Sequence, residues 1–214
     1  MRRILPLTIN PDREDRPADY SFDPTFSPEM VQAFLEAYTR PGDVVFDPFA
    51  GFGTTLFVAE RMSRRPLGLE ILPDRVQLVR DQLRDPSAIL QGDTRALDAV
   101  ELPMIDFSIS SPPYMTRTDH DEDPLSGYQD GGGDYQRYLA ELQTIYTAVA
   151  KRCAPGARIV VNVANLRINA TNLAWDVGTA LSQVLTFDHE VVIDWDHPPA
   201  WLTQDYCLVF VNEP

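Results

Sequence analysis

The stretch Val44–Val45–Phe46–Asp47–Pro48–Phe49–Ala50–Gly51–Phe52–Gly53–Thr54–Thr55 constrains this chain most. An apolar, β-branched run ends in an acid, passes through two glycines and enters a helical pattern, Leu56 to Arg61. Strand, glycine turn and helix in that order build the ligand crevice of open α/β sheets, at the carboxyl ends of the strands. The identity of the ligand follows from what accompanies the glycines. A dinucleotide fingerprint needs a third glycine where Leu56 stands, and a phosphate-binding loop needs a lysine that is missing. A carboxylate at the strand tip, Asp47, repels a pyrophosphate and suits a cation.

Asp-Pro-Phe-x-Gly-x-Gly-Thr-Thr closely resembles the cofactor loop of the amino-methyltransferases that modify nucleic-acid bases. Their cofactor, S-adenosylmethionine, carries an ammonium and a sulfonium. The resemblance assigns Asp47, Pro48, Phe49, Gly51, Gly53, Thr54 and Thr55 to the cofactor. It adds that the segment around Phe26, Ser27 and Pro28, ahead of the first strand, lines the cofactor's methionine end. Ser27–Pro28–Glu29 is also a helix start in its own right: a serine N-cap, proline at the first helical position and an acid facing the dipole.

Further acids end the next two strands. Glu70 closes Pro66–Glu70 at the distance where doubly wound folds carry a ribose-binding acid. Asp93 closes Ala88–Asp93; the resemblance puts it beside the adenine ring, and it is equally suited to cap the segment that follows. The fourth strand, Ile105–Ser110, runs into Ser111–Pro112–Pro113–Tyr114. Two prolines fix φ and stiffen the turn, so a hydroxyl and a carbonyl can be held as acceptors. An exocyclic base amine is a poor nucleophile because its lone pair is delocalised into the ring. Accepting its N–H bonds favours the pyramidal form, and Tyr114 would stack on the base. The motif resembles the catalytic motif of amino-methyltransferases, in which Ser at the first place is typical of cytosine-N4 enzymes.

The whole reads as an α/β chain with a Rossmann-like doubly wound sheet of seven strands and a terminal antiparallel pair, His189–Trp195 and Tyr206–Val211. This layout resembles the class I methyltransferase fold over nearly the whole chain from about Ser27. Residues 1–26 read as an irregular arm and 27–214 as one catalytic domain. Helices are expected over Thr54–Met62, Pro73–Leu83, Tyr135–Cys153 and Thr171–Leu185, with a fifth strand at Arg158–Val163. Residues 115–134 read as a mobile acidic loop with six acids, three adjacent glycines and Arg117 as the one counter-charge. Among 214 residues the two cysteines make neither a disulfide framework nor zinc spacing, and the three histidines suggest no metal site. No stretch approaches a membrane span, and the location is read as cytoplasmic by default.

A net charge of −14 argues against a strong grip on bare duplex. The expected activity is methyl transfer to a base amine, cytosine N4 or adenine N6 in DNA, on a flipped or single-stranded base. Target recognition would fall to a partner protein or a homodimer. Alternatives are an RNA enzyme resembling tRNA guanine-N2 methyltransferases, a protein-glutamine methyltransferase, or a cofactor-binding subunit without turnover. The motif order, cofactor loop first, matches one permutation group of the DNA enzymes, although Ser-Pro-Pro-Tyr is commonest in the group with the reverse order.

Overall fold

The computed structural model describes residues 3–8, 27–118, 120–128, 130–167, 170–198 and 200–213. The elements, in chain order, are β1 (Ile4–Leu7), α1 (Pro28–Tyr38), β2 (Val44–Asp47), α2 (Thr54–Arg61), β3 (Arg65–Glu70) and α3 (Pro73–Arg80). Then come β4 (Ile89–Gln91), β5 (Ile105–Ser110), β6 (His120–Glu122), β7 (Gly131–Gly133) and α4 (Tyr135–Ala150). The chain closes with β8 (Cys153–Leu166), α5 (Leu173–Leu181), β9 (Thr186–Trp195) and β10 (Leu202–Val211).

Eight strands form the main sheet in the order β1-β9-β10-β8-β5-β2-β3-β4, and β6 and β7 make a separate antiparallel pair. The expected seven-stranded core is present with one addition. Residues 4–7, expected to be irregular, add a parallel edge strand to β9, with Ile4 opposite Val192 and Leu7 opposite Trp195. An apolar tetrapeptide bounded by polar residues gains ladder hydrogen bonds from an open edge, which no local pattern announces. Residues 9–26, the rest of the expected arm, lie outside the described residues.

Chain order explains why the site forms where it does. From β2 the chain winds outward through β3 and β4, then returns to β5 on the other side of β2. Adjacent parallel strands whose connections leave in opposite directions open a crevice at their carboxyl ends. Here those ends are Asp47 and Ser110, carried by β2 and β5 in register at Val45–Phe107 and Phe46–Ser108.

On one face, Met30, Val31, Phe34 and Leu35 of α1 and Val58 and Ala59 of α2 pack on Val45, Phe107, Ile109 and Val160. Leu142, Ile145, Tyr146 and Val149 of α4 and Leu173, Ala174 and Val177 of α5 share the other core with Phe46, Ile159 and Val161. Val76 and Val79 of α3 complete a smaller cluster with Leu56 and Ile89.

Several expected boundaries move: α3 and α5 are shorter than expected, and β9 and β10 begin earlier, at Thr186 and Leu202. α4 ends at Ala150, and Cys153, expected at its end, opens β8, which runs from there through Arg158–Val163 to Leu166. Pro155–Gly156 therefore sits inside a long strand, where Gly156 takes a positive φ of 79°. The 115–134 segment is also more ordered than a loop: it holds β6, β7 and a short 3-10 turn at Pro124–Ser126. Among the described residues no helix is long and apolar enough to cross a membrane.

Candidate active site

The Asp47–Thr55 turn is built from the inside. Asp47 is buried, accepts the Phe49 amide at 2.9 Å and takes the Thr55 hydroxyl at 2.6 Å, so its carboxylate holds the turn closed. Burial lifts its pKa to about 7, against the lowering effect of those two donors. The strand-tip acid is thus a staple beneath the loop. Gly51 and Gly53 both adopt positive φ, 54° and 80°. At Gly53, the residue capping α2, an added Cβ would fall 2.8 Å from a Val79 methyl; at Gly51 it would meet only the Phe49 carbonyl, at 3.9 Å. Gly53 is therefore needed for helix packing, and Gly51 leaves its backbone open to a ligand. Pro48 lends its carbonyl to the Thr94 hydroxyl at 2.6 Å, which ties the turn to the end of β4. Thr54 is buried at the start of α2.

Glu70 reaches across from β3. Its two oxygens accept the amides of Gly51 and Leu72, each at 2.9 Å, and burial raises its pKa. A carboxylate offers about four acceptor sites, so some acceptor capacity remains after the loop has been held. Asp93 caps the 3-10 turn Thr94–Ala99 through the Arg95 amide and also pairs with the Arg95 guanidinium at 2.6 Å. Both sequence roles offered for Asp93 start from this position, and the capping role is the one seen.

Ser27 caps α1 and accepts from the Glu29 and Met30 amides, with Pro28 at the first helical position. Its hydroxyl also pairs with the Glu29 carboxylate. Phe26 lies outside the described residues.

The Ser111–Tyr114 turn leaves β5 beside this loop. Tyr146 of α4 bridges the two motifs: its hydroxyl bonds Ser110 at 2.7 Å and its ring lies 6.4 Å from that of Phe49. Tyr138, one helical stretch earlier, donates to the Pro113 carbonyl at 3.0 Å. Among the described residues no hydrogen bond reaches the Pro112 carbonyl. Ser111 donates to the Asn162 carbonyl at 3.4 Å, and the Tyr114 hydroxyl reaches the Asn162 side-chain oxygen at 3.5 Å. Burial and the nearby Asp205 carboxylate lift the Tyr114 hydroxyl well above the usual phenol range.

Asn162, Asp205 and Trp195 carry no sequence motif, yet they stand directly behind the turn. Asn162 donates to Asp205 at 2.7 Å, and Trp195 donates to the other Asp205 oxygen at 3.0 Å. The available signal was a single amide interrupting an apolar strand, Val160–Val161–Asn162–Val163, since a buried polar side chain requires partners.

The acidic segment is anchored by charges outside itself. Asp123 is buried and pairs with Arg95 at 3.3 Å and Arg137 at 3.2 Å, with Glu141 beside both guanidiniums. Arg117, expected to balance the segment, pairs with Asp176 of α5 instead, at 2.9 Å. The correction has a plain cause: a loop's counter-charges come from whichever elements it folds against.

The family model described as DNA methylase matches residues 6–81, which include the glycine loop and Glu70. The type II methyltransferase M.XycI of Xanthomonas campestris pv. cyanopsidis is 42% identical over 60 residues, 28% of this chain and 20% of that protein. M.Cfr9I of Citrobacter freundii is 37% identical over 60 residues, with the same shares. The chain thus matches about a fifth of the length of these curated relatives. Among solved structures, TrmN from Thermus thermophilus superposes with a TM-score of 0.60 at 21% identity, covering 87% of this chain and 48% of that one. The N-methyltransferase NodS of Bradyrhizobium japonicum WM9 gives 0.57 at 14% identity, covering 87% and 94%. The fold is that of the class I S-adenosylmethionine-dependent methyltransferases.

Proposed function

We propose that the chain transfers a methyl group from S-adenosylmethionine to an exocyclic base amine in DNA, at cytosine N4 or adenine N6. One observation carries the reading: a stiff Ser-Pro-Pro-Tyr turn emerges beside an open glycine loop at the crevice between β2 and β5. The match to the DNA methylase model and the similarity to type II methyltransferases support it.

The residues present fit the cofactor. Gly51 leaves its backbone approachable, and Glu70, after binding Gly51 and Leu72, would turn its remaining acceptor capacity to the ribose hydroxyls. Asp93 would accept from an adenine amine beside its pairing with Arg95, and the Ser27 end of α1 would face the methionine portion. When bound, S-adenosylmethionine supplies a methyl group made electrophilic by its sulfonium.

The chain's own part is to prepare the amine. The Ser111 hydroxyl and the Pro112 carbonyl would accept its two N–H bonds, drawing the nitrogen out of conjugation so that its lone pair is available. Tyr138 supports this by engaging Pro113, one residue on, which steadies the turn without occupying the Pro112 carbonyl. Tyr114 offers a ring to stack on the base, worth about 1–3 kcal/mol. A base inside a duplex would have to be flipped or already unpaired to reach the turn.

RNA is the second reading, favoured by the order of the two motifs, which tRNA guanine-N2 enzymes share. Incubation with labelled S-adenosylmethionine and separate DNA, RNA and protein pools, followed by nucleoside and amino-acid analysis, tests both. Label recovered as N4-methylcytosine or N6-methyladenine from single-stranded DNA supports the first reading. Label confined to RNA or to glutamine side chains would replace it, and binding without transfer would point to a silent cofactor-binding subunit.

A further inference from the structure

We propose that Asn162 and Asp205 are positioning residues: they clamp Tyr114 and Ser111 in the geometry that holds the base, an inference that rests on the methyl-transfer reading. β8 continues to Leu166, whereas its pairing with β5 ends at Ser110–Val161. Beyond that point the edge of β8 would be bare, and the Ser111–Tyr114 turn covers it. Ser111 bonds the Asn162 carbonyl, and the Tyr114 hydroxyl reaches the Asn162 side-chain oxygen.

The direction of the Asn162 amide is forced. Its nitrogen lies 2.7 Å from an Asp205 carboxylate oxygen and 3.0 Å from the Tyr206 carbonyl. Both are acceptors, so only the NH2 end can stand there, and the amide oxygen must face the Tyr114 hydroxyl. Asp205 in turn cannot swing away, because Trp195 holds its second oxygen at 3.0 Å. Asn162 is 5% exposed and Asp205 7%, so water does not readily replace either partner. Trp195, Asp205, Asn162 and Tyr114 therefore form a chain of bonds from β9 through β10 and β8 to the edge of the ring that is to meet the base.

Asp205→Asn keeps the shape and breaks the logic. One of its two acceptors becomes a donor, so either Trp195 or Asn162 loses its partner, and the Asn162 amide is no longer held with its oxygen towards Tyr114. Loss of one such hydrogen bond corresponds to about tenfold in rate. In the full chain kcat is expected to fall about tenfold, with S-adenosylmethionine affinity by calorimetry unchanged within about threefold. Combining Asp205→Asn with Tyr114→Phe should cost little more than the worse single variant, because both act through the same hydroxyl.

A readout independent of substrate accompanies this. With tyrosine labelled at the ring carbon bearing the hydroxyl, the Tyr114 resonance (identified by its loss in Tyr114→Phe) should shift in Asp205→Asn. Asn162→Ser, which leaves Asp205 in place, should move the same resonance and serves if Asp205→Asn does not fold. An unmoved Tyr114 resonance, or losses that add in the double variant, overturns the clamp. A shifted resonance in a protein that methylates none of the pools overturns the methyl-transfer reading while leaving the clamp standing.

Discussion

Glu70 accepts two backbone amides, so it shapes the glycine loop as well as presenting oxygens to a ribose. Glu70→Gln should therefore weaken S-adenosylmethionine binding about tenfold or more, since a hydrogen bond to a charged acceptor is worth roughly 1.5–3 kcal/mol. Calorimetry checks this, and unchanged affinity would remove Glu70 from the ribose role. Asp47 makes a different prediction. Its pKa is raised to about 7 by burial, from 3.8, so the folded state holds its proton more tightly than the unfolded chain does. The resulting stability is full below the unfolded value and is lost as pH rises towards 7, at a slope of at most about 1.4 kcal/mol per pH unit. Asp47→Asn keeps an acceptor for Phe49 and can donate to the Thr55 oxygen. In urea titrations it should gain stability over the parent at pH 8 and lose that advantage near pH 4.

At the scale of elements, the glycine turn is a packing joint between α2 and α3. Gly53→Ala introduces a positive-φ strain and a methyl 2.8 Å from Val79, whereas Gly42→Ala, at a φ of 93°, meets nothing within 4 Å. The first should cost about 2–3 kcal/mol and the second about 1 kcal/mol. Thermal unfolding of the two variants that gave equal shifts in Tm would contradict the packing account. α4 serves the site in a comparable way. Its buried face sends Tyr138 to Pro113 and Tyr146 to Ser110, so a helix whose spacing reads as plain core also fixes both ends of the Ser-Pro-Pro-Tyr turn.

The charge of the whole molecule, −14, bears on how a nucleic acid would approach. Asp123 is already neutralised by Arg95 and Arg137, so it contributes little repulsion, and Asp123→Asn should loosen the segment. Glu122 and Asp130 of the same segment are exposed. A variant carrying Glu122→Gln and Asp130→Asn, with Asp123 intact, should bind single-stranded DNA more tightly than the parent at low salt. The gap should close as salt rises. Equal affinities in a low-salt titration would mean that the segment stands clear of the bound strand.

The sequence by itself determined the crevice. β-branched runs ending in acids, two glycines of which Gly53 must take a positive φ, and a proline pair after Ile105–Ser110 are local features, and local sterics make them legible. The N-cap at Ser27 and the full extent of β5 were read correctly for the same reason. Partnerships were decided only by the tertiary structure. Residues 4–7 become a strand because β9 offers an edge, Asp123 is buried because Arg95 and Arg137 converge on it, and Asn162 matters because β8 outruns β5. Each depends on groups brought together from distant parts of the chain, and a hydrogen bond or ion pair has no periodicity along the sequence by which it could be read.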